Sequence, residues 1–198
     1  MIEKAADWYA RKQIRAGIIK EEDRDVYKYG YILAMEMGIN ILISGMMAFI
    51  FNMLECLIVF SCVFIPLRTF CGGWHASKSW ICSLISNVTI AGIMIVEKYQ
   101  IWTFGIWVAV IIELVCSIAV WNMAPIEHKN KPLSNQEKKA YRKICKVMYV
   151  VQLGLMFLFY CIGRTDILQT GVMAHIIVVL SLLMGAVDIK KERIIFEK

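Results

Sequence analysis

Residues 37–54, MGINILISGMMAFIFNML, carry no charged side chain over 18 positions. A hydrocarbon layer about 30 Å thick is crossed by roughly 20 helical residues at about 1.5 Å rise each. The run extends back past Glu36 to Gly30, so residues 30–51 read as a first membrane span. Working outward from it, four further stretches repeat the pattern: residues 79–96, 101–126, 147–163 and 167–187. Residues 53–67 are apolar but for Glu55, short for a full crossing, and end at Pro66 and Arg68. The expectation is an all-α polytopic membrane protein, a six-helix transmembrane bundle preceded by an amphipathic N-terminal helical segment.

Composition agrees with this reading. The 198 residues are 59% hydrophobic and 19% charged, and the mean hydropathy is +0.60. Soluble domains average about 45–50% apolar and 25% charged, so the excess has to face lipid. The chain reads as three segments: 1–29 as the N-terminal arm, 30–187 as the six-span domain, and 188–198 as a basic tail. Residues 1–29 carry 13 charges and no apolar core of a signal peptide, so membrane entry is expected to rely on the later spans. Ile2, Ala5, Ala6, Tyr9, Ile14 and Ile18 recur there at helical spacing, which suits either the inner leaflet or a packed helix. Seven cysteines, mostly inside apolar runs, do not form a complete disulfide framework.

The basic residues orient the bundle. With the N-terminus in the cytoplasm, 20 of the 22 Lys and Arg residues fall on that side, and only Lys98 and Arg164 fall on the other. Cytoplasmic loops are enriched in Lys and Arg, so both termini are expected in the cytoplasm. The formal charge of +6 then reflects topology and calls for no nucleic-acid partner. Seven of the basic residues lie in a polar stretch, 127–146, that could equally dock an acidic peptide.

The reactive side chains gather where the second span ends and the third begins, at residues 68–82, RTFCGGWHASKSWIC. Gly72 and Gly73 permit a sharp backbone reversal beside His75. Ser79 reads as an N-cap, which sets Cys82 in the first turn of the third span, where free amides and the helix dipole favour a thiolate. His75 and Cys82 would stand about 10.5 Å apart along one straight helix, so a working pair needs His75 to lie off it. Three readings of these residues stay open on residue types alone. His75 and Cys82 form a base and nucleophile, with Arg68 binding a carboxylate or developing negative charge. Alternatively Cys71, His75 and Cys82 are soft metal ligands, a set that lacks an obvious fourth member. Or the thiols are small apolar fillers.

At these residues the sequence resembles the accessory gene regulator protein B (AgrB) family of Gram-positive bacteria. The pattern Arg68-x3-Gly72-Gly73-x-His75-x6-Cys82 is similar to that family's signature, and Ala124-Pro125-Ile126-Glu127-His128-Lys129-Asn130-Lys131-Pro132-Leu133 is similar to its second shared stretch. The resemblance covers essentially the whole chain. It implies a bacterial cell-membrane cysteine endopeptidase with Cys82 as nucleophile and His75 as base, acting without cofactor or metal. Arg68, Gly72 and Gly73 would serve substrate or oxyanion binding, and Cys71 would be a bystander. The implied substrate is a short AgrD-like propeptide, whose C-terminal tail is removed and whose new carboxyl end is joined to an internal side chain as a thiolactone or lactone signal. Membrane lipids and a second copy of the chain are the other partners implied.

A small transporter or peptide exporter is the alternative from another class. It predicts paired charges deep within the spans, where Glu36, Glu113 and His175 are the ionisable groups in question.

Overall fold

The computed structural model describes residues 2–74, 79–103, 105–126 and 133–196, without the side chains of residues 79 and 190–196. Among the described residues there are seven α-helices: α1 (Ile2–Arg15), α2 (Arg24–Phe51), α3 (Leu54–Cys71), α4 (Ser79–Lys98), α5 (Ile106–Met123), α6 (Asn135–Cys161) and α7 (Thr165–Phe196). The six from α2 to α7 are each long and apolar enough to cross a membrane. The expected all-α, six-span architecture therefore holds.

Several boundaries differ from those read in the sequence: α2 begins at Arg24 and not at Gly30, α7 runs on past Val187 to Phe196, and three more differ for a local reason. α3 does not stop at Pro66 but runs on to Cys71 with the proline inside it, and the missing N–H leaves the Cys62 carbonyl without its helical donor. α6 begins at Asn135, well inside the basic stretch, because Ser134 and Glu137 form a reciprocal cap. The Glu137 N–H donates to Ser134 Oγ at 3.3 Å, and the Ser134 N–H donates to the Glu137 carboxylate at 2.8 Å. α5 starts only at Ile106, so residues Ile101 to Thr103 lie outside it.

Ala6 and Ala10 are fully buried on α1, which packs against the start of α2. The small side chains bring the two helices close, and Asp7 accepts from Arg24 at 2.7 Å and from Arg11 at 2.8 Å. These bonds, the Arg24 bond first, hold the Asp7 carboxyl below the ordinary carboxylate range. Of the two placements expected for this arm, packing on the bundle is the one observed for its alanine face.

α2 turns into α3 through Asn52, whose left-handed backbone (φ 56°) lets the following Met53 N–H reach back to the Ala48 carbonyl at 2.7 Å. At the same end of the bundle, Arg164 joins Glu55 at 2.6 Å and Asp166 at 2.7 Å, tying that turn to the start of α7. At the opposite end, the main core packs α3, α5, α6 and α7 around Leu67, Cys71, Val120, Tyr149, Val178 and Leu182. Outward-facing Phe49, Trp107 and Ile111 remain exposed, as a lipid-facing surface requires.

Candidate functional site: a clamped glycine loop beside the start of α4

The last turn of α3 leads into Gly72, Gly73 and Trp74, and this short segment is gripped from two sides. The Ile126 N–H donates to the Cys71 carbonyl at 2.9 Å, and Gly72 and Ile126 form a parallel β-bridge. On the other side the Trp74 N–H donates to the Ser181 carbonyl of α7 at 2.9 Å. Arg142 of α6 braces the clamp, its Nε–H donating to the Ala124 carbonyl at 3.3 Å.

This close approach explains the glycines. A Cβ on Gly72 would stand 2.1 Å from the Ile126 carbonyl oxygen, and its φ of 72° already disfavours other residues. A Cβ on Gly73 would meet Ser181 Oγ at 2.8 Å and Arg68 Nη1 at 2.9 Å. Facing them on α7, a Cβ on Gly185 would stand 2.8 Å from the Gly73 carbonyl carbon and the Trp74 nitrogen.

Arg68 turns back over the segment it introduces. Its Nη1 and Nη2 groups donate to the Gly72 and Trp74 carbonyls. Two of five guanidinium N–H donors are thereby committed to the backbone. Cys82 is half-buried on the first turn of α4. Ser79 is the first residue of that helix rather than the residue before it, which leaves Cys82 in the first turn all the same. At the next residue, Asn40 of α2 donates to Ser83 Oγ at 2.9 Å, and one turn further on Asn87 donates to Asn40 Oδ1 at 2.6 Å.

Cys71 is fully buried, in one core cluster with Cys145 of α6. His75 lies outside the described residues; of the sequence-predicted set the structure brings together Arg68, Gly72 and Gly73, and it sets Cys82 in the first turn of α4. Residues 127–132 of the second motif also lie outside them. Among the described residues no group of three or more His, Cys, Asp or Glu side chains could hold a metal ion.

Sequence reasoning missed Ile126, Ser181 and Gly185 as the walls of the loop. Ser181 and Gly185 are small residues four apart on one apolar span, the spacing that lets another backbone approach a membrane helix.

Inside the bundle, Glu113 and His175 are partners. His175 Nδ1 lies 2.9 Å and 3.0 Å from the two Glu113 carboxylate oxygens, and Tyr149 Oη donates to one of them at 2.6 Å. His175 Nε2 lies 3.1 Å from Gln152 Oε1. The side chains come from α5, α6 and α7, with His175 and Tyr149 wholly buried and their rings stacked 4.5 Å apart.

The family model described as Accessory gene regulator B matches residues 2–183. A protein named "Putative AgrB-like protein" from Clostridium perfringens (strain SM101 / Type A) is 25% identical over 152 residues, 72% of this chain and 71% of that one. "Putative AgrB-like protein 2" from Clostridium perfringens (strain 13 / Type A) is 24% identical over 173 residues, 82% and 81% of the two chains. No solved structure matches significantly. With the match running over both motifs and all six spans, the chain belongs to the accessory gene regulator B family, multi-pass membrane proteins of the agr quorum-sensing system that are linked to peptide processing and imply an AgrD-like propeptide partner.

Proposed function

We propose that the protein is a membrane-embedded cysteine endopeptidase that removes the C-terminal tail of a propeptide and cyclises what remains. The observation that carries this reading is the placement of Cys82, a half-buried thiol in the first turn of α4, the helix that follows the clamped backbone segment in the chain. A thiol there is close to unpaired helix amides, which stabilise negative charge on sulfur or on an attacked carbonyl.

In the proposed sequence His75 takes the Cys82 proton, and the thiolate attacks the scissile carbonyl. The tail leaves as an amine carrying that proton, and the remainder stays on Cys82 as a thioester. An internal thiol or hydroxyl of the propeptide then gives its proton to His75 and displaces Cys82, closing the ring. Arg68, with two donors fixed on the Gly72 and Trp74 carbonyls, holds the loop and has further N–H groups for substrate. Water would divert the thioester to a linear acid, so a site at the mouth of a helix bundle suits ring closure. The 20-to-2 partition of basic residues supports a cytoplasmic position for the loop and both termini.

The test is incubation of the purified protein in liposomes with its cognate propeptide, followed by mass spectrometry. Tail release and a cyclic product are expected from the native chain, none from Cys82→Ala, and most of the activity from Cys71→Ala. Reversal of the two variants would sink the assignment.

One observation favours the transporter alternative: Glu113 and His175 are a pair of ionisable groups deep between spans, as transport expects. Against it, His175 is wholly buried and every polar atom of its ring is already engaged. Uptake of a labelled cyclic peptide into liposomes by the Cys82→Ala protein would support transport as a separate activity.

A further inference from the structure

The polar cluster in the bundle continues beyond Glu113 and His175 into the backbone of α3. Gln152 Nε2 donates to the Val63 carbonyl at 3.1 Å and leans toward the Cys62 carbonyl at 3.4 Å. Cys62 is the residue whose carbonyl Pro66 leaves without a helical donor. Gln152 therefore covers the break in α3 that lies just before Arg68.

That bond also settles the hydrogen positions in the cluster. With its amide nitrogen committed to α3, Gln152 presents its oxygen to His175 Nε2, so Nε2 must carry a hydrogen. The reversed amide would set an oxygen against the Val63 carbonyl. His175 Nδ1 and Glu113 then hold one proton between them, as imidazolium and carboxylate or as imidazole and carboxylic acid. Either arrangement is net neutral, which is what a group buried among lipid-facing helices requires.

α3 and α7 both run toward the loop, and two sets of bonds join them. The lower set is Val63 to Gln152 to His175. The upper set is the Trp74 N–H on the Ser181 carbonyl, with Arg68 over the same segment. Arg68 follows Val63 by five residues and Ser181 follows His175 by six, about 7.5 Å and 9 Å of helix rise. The register fixed at the lower set is carried into the upper one.

We propose that Gln152, His175 and Glu113 are positioning residues: by covering the proline break in α3 and fixing α3 against α7, they hold Arg68 and the Gly72–Trp74 segment in the clamped geometry. Their role in peptide processing rests on the peptidase reading; their hold on the loop does not. The pattern of hydrogen bonds matters, and a mobile proton is not needed.

The experiment combines hydrogen–deuterium exchange on the full-length protein in detergent with propeptide tail release. Gln152→Leu is expected to speed exchange in peptides covering residues 68–74 by about three-fold, the scale of an average interhelical bond inside a membrane, with α2 and α4 unchanged. Tail release is expected to lose kcat with KM nearly unaltered. Glu113→Gln separates positioning from proton carriage, since its amide can donate to a neutral His175 Nδ1 while its oxygen accepts from Tyr149. It is expected to match the native protein on both readouts, whereas Glu113→Ala behaves as Gln152→Leu does. The Glu113 pair decides the matter even if Gln152→Leu does not fold.

Unchanged exchange over residues 68–74 in Gln152→Leu overturns the proposal. So does uniform loosening of all helices, or a Glu113→Gln protein as defective as Glu113→Ala. If the native protein releases no tail, the peptidase reading fails while the exchange results still decide the coupling.

Discussion

α7 and α4 meet the same loop, one from behind and one as its continuation, yet they are packed in opposite ways. Of the most apolar window of each, 44% is buried in α7 and 11% in α4. α7 lies among α3, α5 and α6 and holds the loop through Ser181 and Gly185. α4 packs mainly on α2, leaves Trp80, Leu84 and Val88 exposed, and is tied there by the Asn40, Ser83 and Asn87 bonds. The two halves of the candidate site thus sit in two units packed to different degrees, which share a core cluster at Ile93 and Met94 of α4. Arg68 and the glycines stand on a close-packed frame with a satisfied polar interior, and Cys82 stands on a lightly packed helix beside it.

The largest effect is expected where the frame meets the loop. At Gly72, φ of 72° and ψ of −147° form a conformation almost confined to glycine, costing other residues about 1–3 kcal/mol. Gly72→Ala adds a clash with the Ile126 carbonyl, so its melting temperature in detergent should fall by several degrees. Gly154→Ala, with open space around it, should melt as the native protein does. Equal melting of the two variants would break the picture of a clamped loop.

A smaller effect is expected between α2 and α4. Asn87→Leu removes the bond to Asn40, and interhelical bonds in membranes average about 0.6 kcal/mol. Maleimide labelling of Cys82 should quicken severalfold, while exchange over residues 68–74 stays as in the native protein. Faster exchange in that segment would mean that the two units are not separate.

The smallest effect belongs to α1, outside both units. The Asp7 carboxyl is held low, mainly by Arg24, so its pairing is fully present above the usual Asp value of about 4. The contribution disappears as pH falls through the lowered value. Trp8 fluorescence should therefore be constant from neutral pH to about 4 and change below it, and Asp7→Asn should flatten that change. A transition in the native protein nearer pH 6 would rule Asp7 out as its source.

Much of this was legible because it is local. Charge-free runs announced the spans, and the density of Arg68, Gly72, Gly73, His75 and Cys82 announced the loop. What escaped is instructive in each case. Pro66 read as a helix end because a proline usually stops a helix, but Gln152, 86 residues later, covers the carbonyl it frees. Residues 135–146 read as loop because they are charged, although the Ser134 and Glu137 cap starts a helix there. Glu113 and His175 were visible as costly side chains, and their pairing across 62 positions was not.

The sequence by itself determined the number of spans, the membrane environment and the place of the glycine loop. Lipid imposes a length and an apolar composition on every crossing, and these are written residue by residue. Only the tertiary structure decided what holds the loop: the Ile126 bridge, the Ser181 carbonyl, the space left by Gly185, and the bonds from α3 to Glu113. Those depend on which helix faces of α3, α5, α6 and α7 meet. In a bundle whose helices are apolar nearly all round, hydrophobic periodicity does not choose those faces. Small residues and a few buried polar bonds do.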